Sequence, residues 1–156
     1  MKTVIRLFLL FTLASLGFAA DEGRQSQEDN IRETVFRYQF DHNASGQQKG
    51  AKMYYLGVGK EKADPSDEFM KRFAANKPLV GKASAAHFIR GKLLDKKTAE
   101  RGLAFYVTNI KWISDGEVEV SGGYYESGYS SSEHTYTVKM ENGKWRLTKD
   151  KMEWIS

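Results

Sequence analysis

The sequence predicts an α+β domain in which N-terminal helices pack on a strongly bent antiparallel sheet. Three observations favour this class. Apolar residues recur at helical spacing early in the chain, and apolar and polar residues alternate through four segments of the last third. Prolines occur only at Pro65 and Pro78, so no linker divides the chain. Helices followed by a run of strands is the order typical of α+β domains.

The first nineteen residues match a secretory signal peptide. Lys2 and Arg6 precede a mostly apolar stretch at 7–16, and small residues stand before a cleavage point after Ala19. Because this stretch is shorter than the roughly 20 residues that span a bilayer, we expect cleavage and export to a periplasm or the cell exterior, without stable membrane insertion. The predicted organisation is a signal peptide (1–19), a disordered N-terminus (20–27) and one folded domain (28–156).

The composition of the mature chain limits its chemistry. Loss of Lys2 and Arg6 lowers the formal net charge from +4 to +2, which gives no reason to expect a nucleic-acid partner. Six leucines but seventeen aromatic residues remain, so aromatic side chains must supply much of the core. The chain has no cysteine, which excludes disulfides, thiol nucleophiles and thiolate metal sites.

The first helix is predicted to begin at Ser26, which forms a capping-box pattern with Asp29. Apolar residues then fall on two sides of the helix, which is typical of a helix covered on both sides. The loop-like segment 43–50 ends it. The apolar residues are Ile31, Val35 and Tyr38 on one side and Phe36 and Phe40 on the other.

The middle of the chain is predicted to hold a strand, a short helix and a less regular crossing. Residues 52–58 carry β-forming residues at both parities, which indicates a strand covered on both faces. The Asp-Pro pair at 64–65 supplies an N-cap and a first helical position, and Pro78 ends that helix. Residues 84–89 are predicted to form a strand, and the Lys-rich segment 91–102 a mobile crossing.

The last third predicts a four-stranded antiparallel meander. The Asp-Gly pair at 115–116 and the Asn-Gly pair at 142–143 favour tight hairpin turns. The middle connection, 126–132, is predicted to be longer and flexible, and the Gly-Gly pair at 122–123 indicates a bulge or bend. The predicted strands are 103–113, 117–125, 133–140 and 144–155.

This arrangement resembles the NTF2-like, cystatin-like cone, in which an N-terminal helix lies in a strongly curved sheet. The resemblance is carried by IRETVFRYQF, by the meander from FYVTNIKW through EVEVSGGYY to HTYTVKM, and by the closing GKWRLTKDKMEWIS. It extends to exported bacterial NTF2-like proteins without an assigned activity. It implies a pocket between helices and sheet, where enzymes of the superfamily place Asp, His or Tyr and act on small, often apolar molecules. Many unrelated functions share this cone.

Three positions offer acid–base side chains to such a pocket. Asp41, followed by His42 at the end of the first helix, is either half of an acid–base pair or a solvated residue beside a histidine that the helix dipole favours. His87 is either a pocket base or a structural residue. His134 shares the parity of Tyr136, and we expect it to point inward. A buried imidazole or carboxyl has a shifted pKa, which allows proton transfer near neutral pH.

Tyrosines are the other candidate site residues. They either line a cavity suited to a small apolar ligand or fill the core in place of leucine. The segment 124–132 (YYESGYSSS) has the composition of binding loops and also of ordinary loops. No close histidine pair, HExxH motif or phosphate-binding glycine loop occurs, so we expect no metal and no cofactor. The five tyrosines are Tyr38, Tyr55, Tyr106, Tyr124 and Tyr136.

These features favour a non-enzymatic binding or accessory module. Its expected partner is either a small apolar ligand in the cone cavity or a protein on the exposed sheet. The alternative is a small cofactor-independent enzyme, such as an isomerase or dehydratase, with His134, His87 or Asp41 as its base. A further possibility is a homodimer formed through the open face of the sheet.

Overall fold

The computed structural model describes residues 12–156, with side chains described from residue 23 onward. Residues 1–11, which hold much of the expected signal peptide, lie outside the described residues, so that peptide stays a prediction. In the part of the chain that the structure describes, no helix is long and apolar enough to cross a membrane. The elements are α1 (Thr12–His42), β1 (Met53–Val58), α2 (Asp67–Lys71), β2 (Leu79–Lys82), a 3-10 turn (Ala83–Ala85), β3 (Ala86–Ile89), β4 (Lys92–Asp95), β5 (Gly102–Ser114), β6 (Glu117–Ser127), β7 (Ser130–Glu141) and β8 (Lys144–Ile155).

The α+β class is confirmed, but the sheet of eight strands is mixed rather than wholly antiparallel. Strands β5 to β8 form the predicted antiparallel meander. Strand β1 instead runs parallel to both β2 and β5. The connection from β1 to β2 contains α2, and parallel neighbours require a crossover of this kind. Strand β4 joins β6 where Lys92 pairs with Ser127.

Helix α1 begins well before the predicted start at Ser26. Residues 20–27, expected to be disordered, therefore belong to the helix. The physical reason is composition, because Glu, Arg and Gln around these positions are good helix formers. Just after this segment, Arg32 forms ion pairs with Glu28 (2.8 Å) and Asp29 (3.0 Å), which lie one helical turn before it. The prediction of a helix covered on two sides is confirmed by Val35 and Phe36, which are both fully buried.

Aromatic rings pack together between the helices and the sheet. We call the side of the sheet covered by α1 and α2 the helix face. Phe40 of α1 contacts three other rings on this face. Its ring centroid lies 4.9 Å from that of Tyr54, 5.1 Å from that of Phe105 and 5.9 Å from that of Phe73. Tilted and edge-to-face contacts at these distances are favourable aromatic packing. Aromatic side chains therefore occupy the region where the NTF2-like resemblance led us to expect a pocket.

The opposite side of the sheet, which we call the back face, is partly covered by the β3–β4 hairpin. Tyr55 of β1 is fully buried there together with Leu93 of β4, so the prediction that this strand is covered on both faces is confirmed. The Tyr55 hydroxyl donates to Asp95 (2.7 Å), and Asp95 also accepts from the amides of Lys97 and Thr98 (2.8 Å each). The mobile crossing predicted at 91–102 is wrong, because this carboxylate holds the turn after β4.

The Tyr55–Asp95 bond predicts a pH-dependent stability. Hydrogen bonds from Tyr55, then from Thr98 and Lys97, lower the pKa of Asp95 from 3.8 to about 2. A lowered pKa stabilises the fold above the unfolded value and loses that contribution as pH falls from 3.8 towards 2. We expect Tyr55→Phe to lower the free energy of unfolding at neutral pH by about 2 kcal/mol. In urea unfolding across this range, the deficit should shrink towards pH 2, whereas a deficit independent of pH would contradict it.

The cap of α2 differs from the prediction. The side chain of Ser66 accepts from the Phe69 amide (3.1 Å) and caps the helix. Asp64, the expected cap, instead accepts from the amide (2.8 Å) and the hydroxyl (2.6 Å) of Ser84. Serine and aspartate are comparable N-caps, so two candidates this close in sequence could not be ranked without the contact to Ser84.

The connection between β6 and β7 is a tight turn, so the long flexible loop predicted at 126–132 is wrong. Ser127 pairs with Ser130, which leaves Gly128 and Tyr129 as the turn. Ser130 also donates to the Glu126 carboxylate (2.8 Å). Local hydrogen bonds therefore order a segment whose Ser and Gly content favoured a flexible loop.

Candidate functional site

The structure does not bring the five candidate tyrosines together. Strand alternation places Tyr55 and Tyr106 on the back face, whereas Tyr124 and Tyr136 lie in the core of the helix face with α1. Tyr38 of α1 packs edge-on against Tyr136, with ring centroids 5.9 Å apart. The tyrosines therefore contribute to two separate surfaces of the sheet.

His134 is the acid–base candidate that the structure surrounds with polar partners. Its Nδ1 lies 2.6 Å from Asp150 Oδ1, and its Nε2 lies 3.0 Å from Ser132 Oγ. Ser132 and His134 are 5% and 6% exposed. We call Ser132, His134 and Asp150 the His134 relay. The expectation that His134 points inward is confirmed, since its ring stacks on the ring of Tyr136 (5.4 Å) in the helix-face core.

Two residues of α1 form hydrogen bonds to the relay and to the adjacent Tyr136. The Tyr38 hydroxyl donates to Asp150 Oδ2 (3.2 Å), and Gln39 Nε2 donates to the Tyr136 hydroxyl (3.4 Å). Burial, and then the Asp150 charge, raise the pKa of Tyr38. Burial likewise raises the pKa of Tyr136. Both phenols therefore stay protonated at neutral pH and act as hydrogen-bonding groups beside the imidazole and carboxylate.

The other acid–base candidates lie apart from the relay. His87 is half-buried on β3, where it pairs with Leu94 of the neighbouring strand. His42 stacks on Tyr38 (4.1 Å between centroids), with its Nδ1 3.0 Å from the Tyr38 backbone oxygen. Asp41 is exposed at the end of α1. Asp41 and His42 therefore have different surroundings, as expected for neighbours on a helix.

A glycine-floored groove lies on the back face. Its floor is Gly122 and Gly123, and its volume is about 90 Å³. A Cβ at Gly123 would overlap the backbone oxygen of Ser132, so only glycine fits between these strands. The bulge predicted at this Gly-Gly pair lies instead on the neighbouring strand β5, where the register shifts between Val107 and Asn109 opposite Gly122. We call this feature the back-face groove, and its lining includes Lys62, Tyr106, Tyr125, Ser132, Glu133 and Trp154.

The walls of the back-face groove combine aromatic rings with opposite charges. Glu133 pairs with Gly123 on one side and with Trp154 on the other, which places the three on one face. Trp154 Nε1 donates to the Glu133 carboxylate (2.9 Å). On the far wall, the Lys62 ammonium lies 4.1 Å from the Tyr106 ring centroid. Burial raises the pKa of Tyr106 to about 12, so its hydroxyl is neutral and can donate.

Exposed aromatic side chains continue beyond the groove. Phe88 of β3 packs edge-on against Tyr125 (4.6 Å) and is 53% exposed. Trp154 on the other side is 48% exposed, and Tyr129 in the β6–β7 turn is 92% exposed. Large apolar residues left exposed close together are typical of interaction surfaces. Phe88, Tyr125 and the back-face groove therefore form one continuous aromatic surface.

A second, larger groove of about 510 Å³ lies between α1 and the β7–β8 turn. Its polar groups are mostly committed to the protein. Glu33 accepts from Arg37 (2.8 Å) and from Arg72 (3.0 Å), and Thr34 donates to the backbone of Asn30 (2.9 Å). Its open, charged lining differs from the mostly apolar lining of small-molecule pockets.

No family model, curated protein or solved structure matches this chain.

Sequence reasoning missed several residues of both sites. Ser132 shares the parity of His134, which was a usable signal. Asp150 gave none, because the β7–β8 register shifts near Val138, between the hairpin turn and Asp150. Trp154 could be placed in the groove only once that register was known.

Proposed function

We propose that the chain is an exported NTF2-like binding module that recognises a protein partner through the aromatic surface of its back face. The observation that carries the proposal is the back-face groove, where half-exposed Trp154 and the Tyr106 ring flank a glycine floor. Aromatic residues are enriched in the cores of protein interfaces. A partner inserting one aromatic or aliphatic side chain would contact both walls.

The size of the groove favours a protein partner over a small ligand. Its volume of about 90 Å³ is below the roughly 300–1,000 Å³ of typical ligand pockets. One side chain of an extended segment fits such a space. The small apolar ligand expected in the cone has less support, because Phe40, Tyr54 and Phe105 pack together where it would sit.

The enzymatic alternative depends on His134. It has support that His87 and Asp41 lack, because both of its ring nitrogens have polar side-chain partners within 3.0 Å. In its general form, this alternative requires a base that acts on a ligand held in the cone. Such a ligand has little room, because aromatic side chains pack together there.

Peptide binding tests the proposal. A displayed library of random peptides is selected on immobilised mature protein, residues 20–156, and the affinity of each selected peptide is measured by fluorescence anisotropy. We expect binders that carry an aromatic or aliphatic anchor, and Trp154→Ala should weaken them about tenfold or more, the effect of losing a central aromatic contact.

A matched control is Ile113→Ala, since Ile113 is 51% exposed near the opposite end of β5. Its affinity for the same peptides should equal that of the wild type. Failure to select a binder, or binders that tolerate Trp154→Ala, would contradict the proposal. A dimer in solution that Trp154→Ala dissociates would assign the surface to a second copy and would also contradict it.

A further inference from the structure

The His134 relay has the connectivity of a nucleophile, a base and an orienting carboxylate. A functional set of this kind needs the nucleophile within about 2.6–3.2 Å of the base, and the base held by a third group. Here the two distances are 3.0 Å, from Ser132 Oγ to His134 Nε2, and 2.6 Å, from His134 Nδ1 to Asp150 Oδ1. The three side chains come from two adjacent strands, β7 and β8.

An ionised Asp150 determines which tautomer a neutral His134 adopts. An ionised carboxylate only accepts hydrogen bonds, so Nδ1 of His134 carries the hydrogen that bonds Asp150. In the neutral imidazole Nε2 then has a free lone pair, which accepts from the Ser132 hydroxyl. Tyr38 donates to the second Asp150 oxygen (3.2 Å), which leaves the first one for His134. This is the tautomer that a base acting on a serine requires.

The relay lies close to an open edge of the sheet. Ile155 pairs with Ser132, and Met152 pairs with His134, so both share the face of the relay. Ile155 is 50% exposed and Met152 is 48% exposed. The apolar rim they form suits a short, uncharged acyl group. It lies on the helix face, although Ser132 itself also borders the back-face groove.

We propose that Ser132 is an acylatable nucleophile and that the relay hydrolyses small esters of short acyl chains. Ser132 Oγ attacks the ester carbonyl carbon while His134 Nε2 takes its proton. His134 returns that proton to the departing alkoxide, which leaves as the alcohol. Water then attacks the acyl-serine, passes a proton to His134, and releases the carboxylic acid with Ser132 regenerated. Ser132 and His134 are the catalytic residues, and Asp150 is a positioning residue.

The reaction is expected to be slow. The amide of Ser131, next to the nucleophile, already donates to the Ser156 backbone oxygen (3.3 Å). That amide is therefore not free to stabilise an oxyanion, a contribution of about 10²–10³ in rate where it is present. Acylation and deacylation both pass through such an oxyanion, so we expect both steps, and therefore the steady release of alcohol, to be slow.

Covalent labelling tests the proposal directly. Mature protein is incubated with a small alkyl fluorophosphonate, which bonds phosphorus to a nucleophilic serine oxygen and releases hydrogen fluoride. Intact mass should show one added group, and fragmentation should place it on Ser132. Ser132→Ala should abolish labelling, while the matched control Ser131→Ala should keep it. Ser131 bonds the Ser156 hydroxyl (2.9 Å), whereas the ring nitrogens of His134 bond Asp150 and Ser132.

Asp150→Asn distinguishes a positioning role from a merely structural one, because only a positioning role affects the pH profile of the labelling rate. We expect it to slow labelling about 100-fold, within the range for loss of general-base assistance, and to change the pH profile of the labelling rate. Far-UV circular dichroism confirms that each variant is folded. Unlabelled wild-type protein, or labelling that survives Ser132→Ala in a folded protein, would overturn the proposal. Neither result bears on peptide binding at the back face, so the two proposals fail separately.

Discussion

We expect Gly123→Ala to lower the free energy of unfolding by about 3 kcal/mol, the upper end of the usual cost of overpacking. The added Cβ would overlap the backbone oxygen of Ser132 on the neighbouring strand. A backbone atom held in a sheet cannot move aside as a flexible side chain could. The strands β6 and β7 would have to separate where they form the floor of the back-face groove.

Equilibrium urea unfolding measures this effect, with Gly128→Ala as the matched control. A Cβ at Gly128, in the β6–β7 turn, would meet no heavy atom within 4 Å. We expect its free energy of unfolding to stay within about 0.5 kcal/mol of the wild type. Equal stability of the two variants would show that the strands do not approach as closely as described.

Phe40→Ala is expected to cost about 4 kcal/mol, as for other buried Phe→Ala changes. Phe40 is 7% exposed and packs between α1 and the sheet against Tyr54, Phe73 and Phe105. Its loss would open an apolar cavity in the helix-face core. Such cavities bind benzene, so we expect benzene to raise the thermal midpoint of Phe40→Ala.

Phe88→Ala is the control for this experiment, because Phe88 is exposed on the back face and contacts Tyr125. It should change stability by about 0.5 kcal/mol and gain no response to benzene. A benzene response in the wild-type protein would contradict the finding that aromatic rings pack together between the helices and the sheet.

The last third of the fold was predictable because its signals are local. Period-two alternation and the Asp-Gly and Asn-Gly pairs placed β5 to β8 close to their observed bounds. The parallel pairing of β1 with β5 was not predictable. Met53 pairs with Gly102 across a long separation in sequence, and no periodicity within either segment encodes that pairing.

For the candidate sites, the sequence predicts only which residues of one strand share a face. Parity placed His134 on the inner face of β7, and the structure confirms this. It could not find Asp150, because a register shift between Thr137 and Val138 separates Asp150 from the β7–β8 turn. Strand parity also grouped five tyrosines that lie on two different faces of the sheet. The face on which each tyrosine lies depends on the register between neighbouring strands, which parity within one strand does not give. The back-face groove needs residues from several strands in line, which one sequence does not reveal.

The central claim, that the back face binds the partner, is tested most directly by the indole N–H signals of the three tryptophans. They report two places. Trp154 lies in the back-face groove, whereas Trp145 lines the groove beside α1 and packs edge-on against Trp112. A ¹H–¹⁵N spectrum of ¹⁵N-labelled protein, residues 20–156, is recorded during titration with a selected peptide. We predict that the Trp154 signal shifts while those of Trp112 and Trp145 stay in place. Shifts of Trp112 and Trp145 with an unchanged Trp154 would contradict the account.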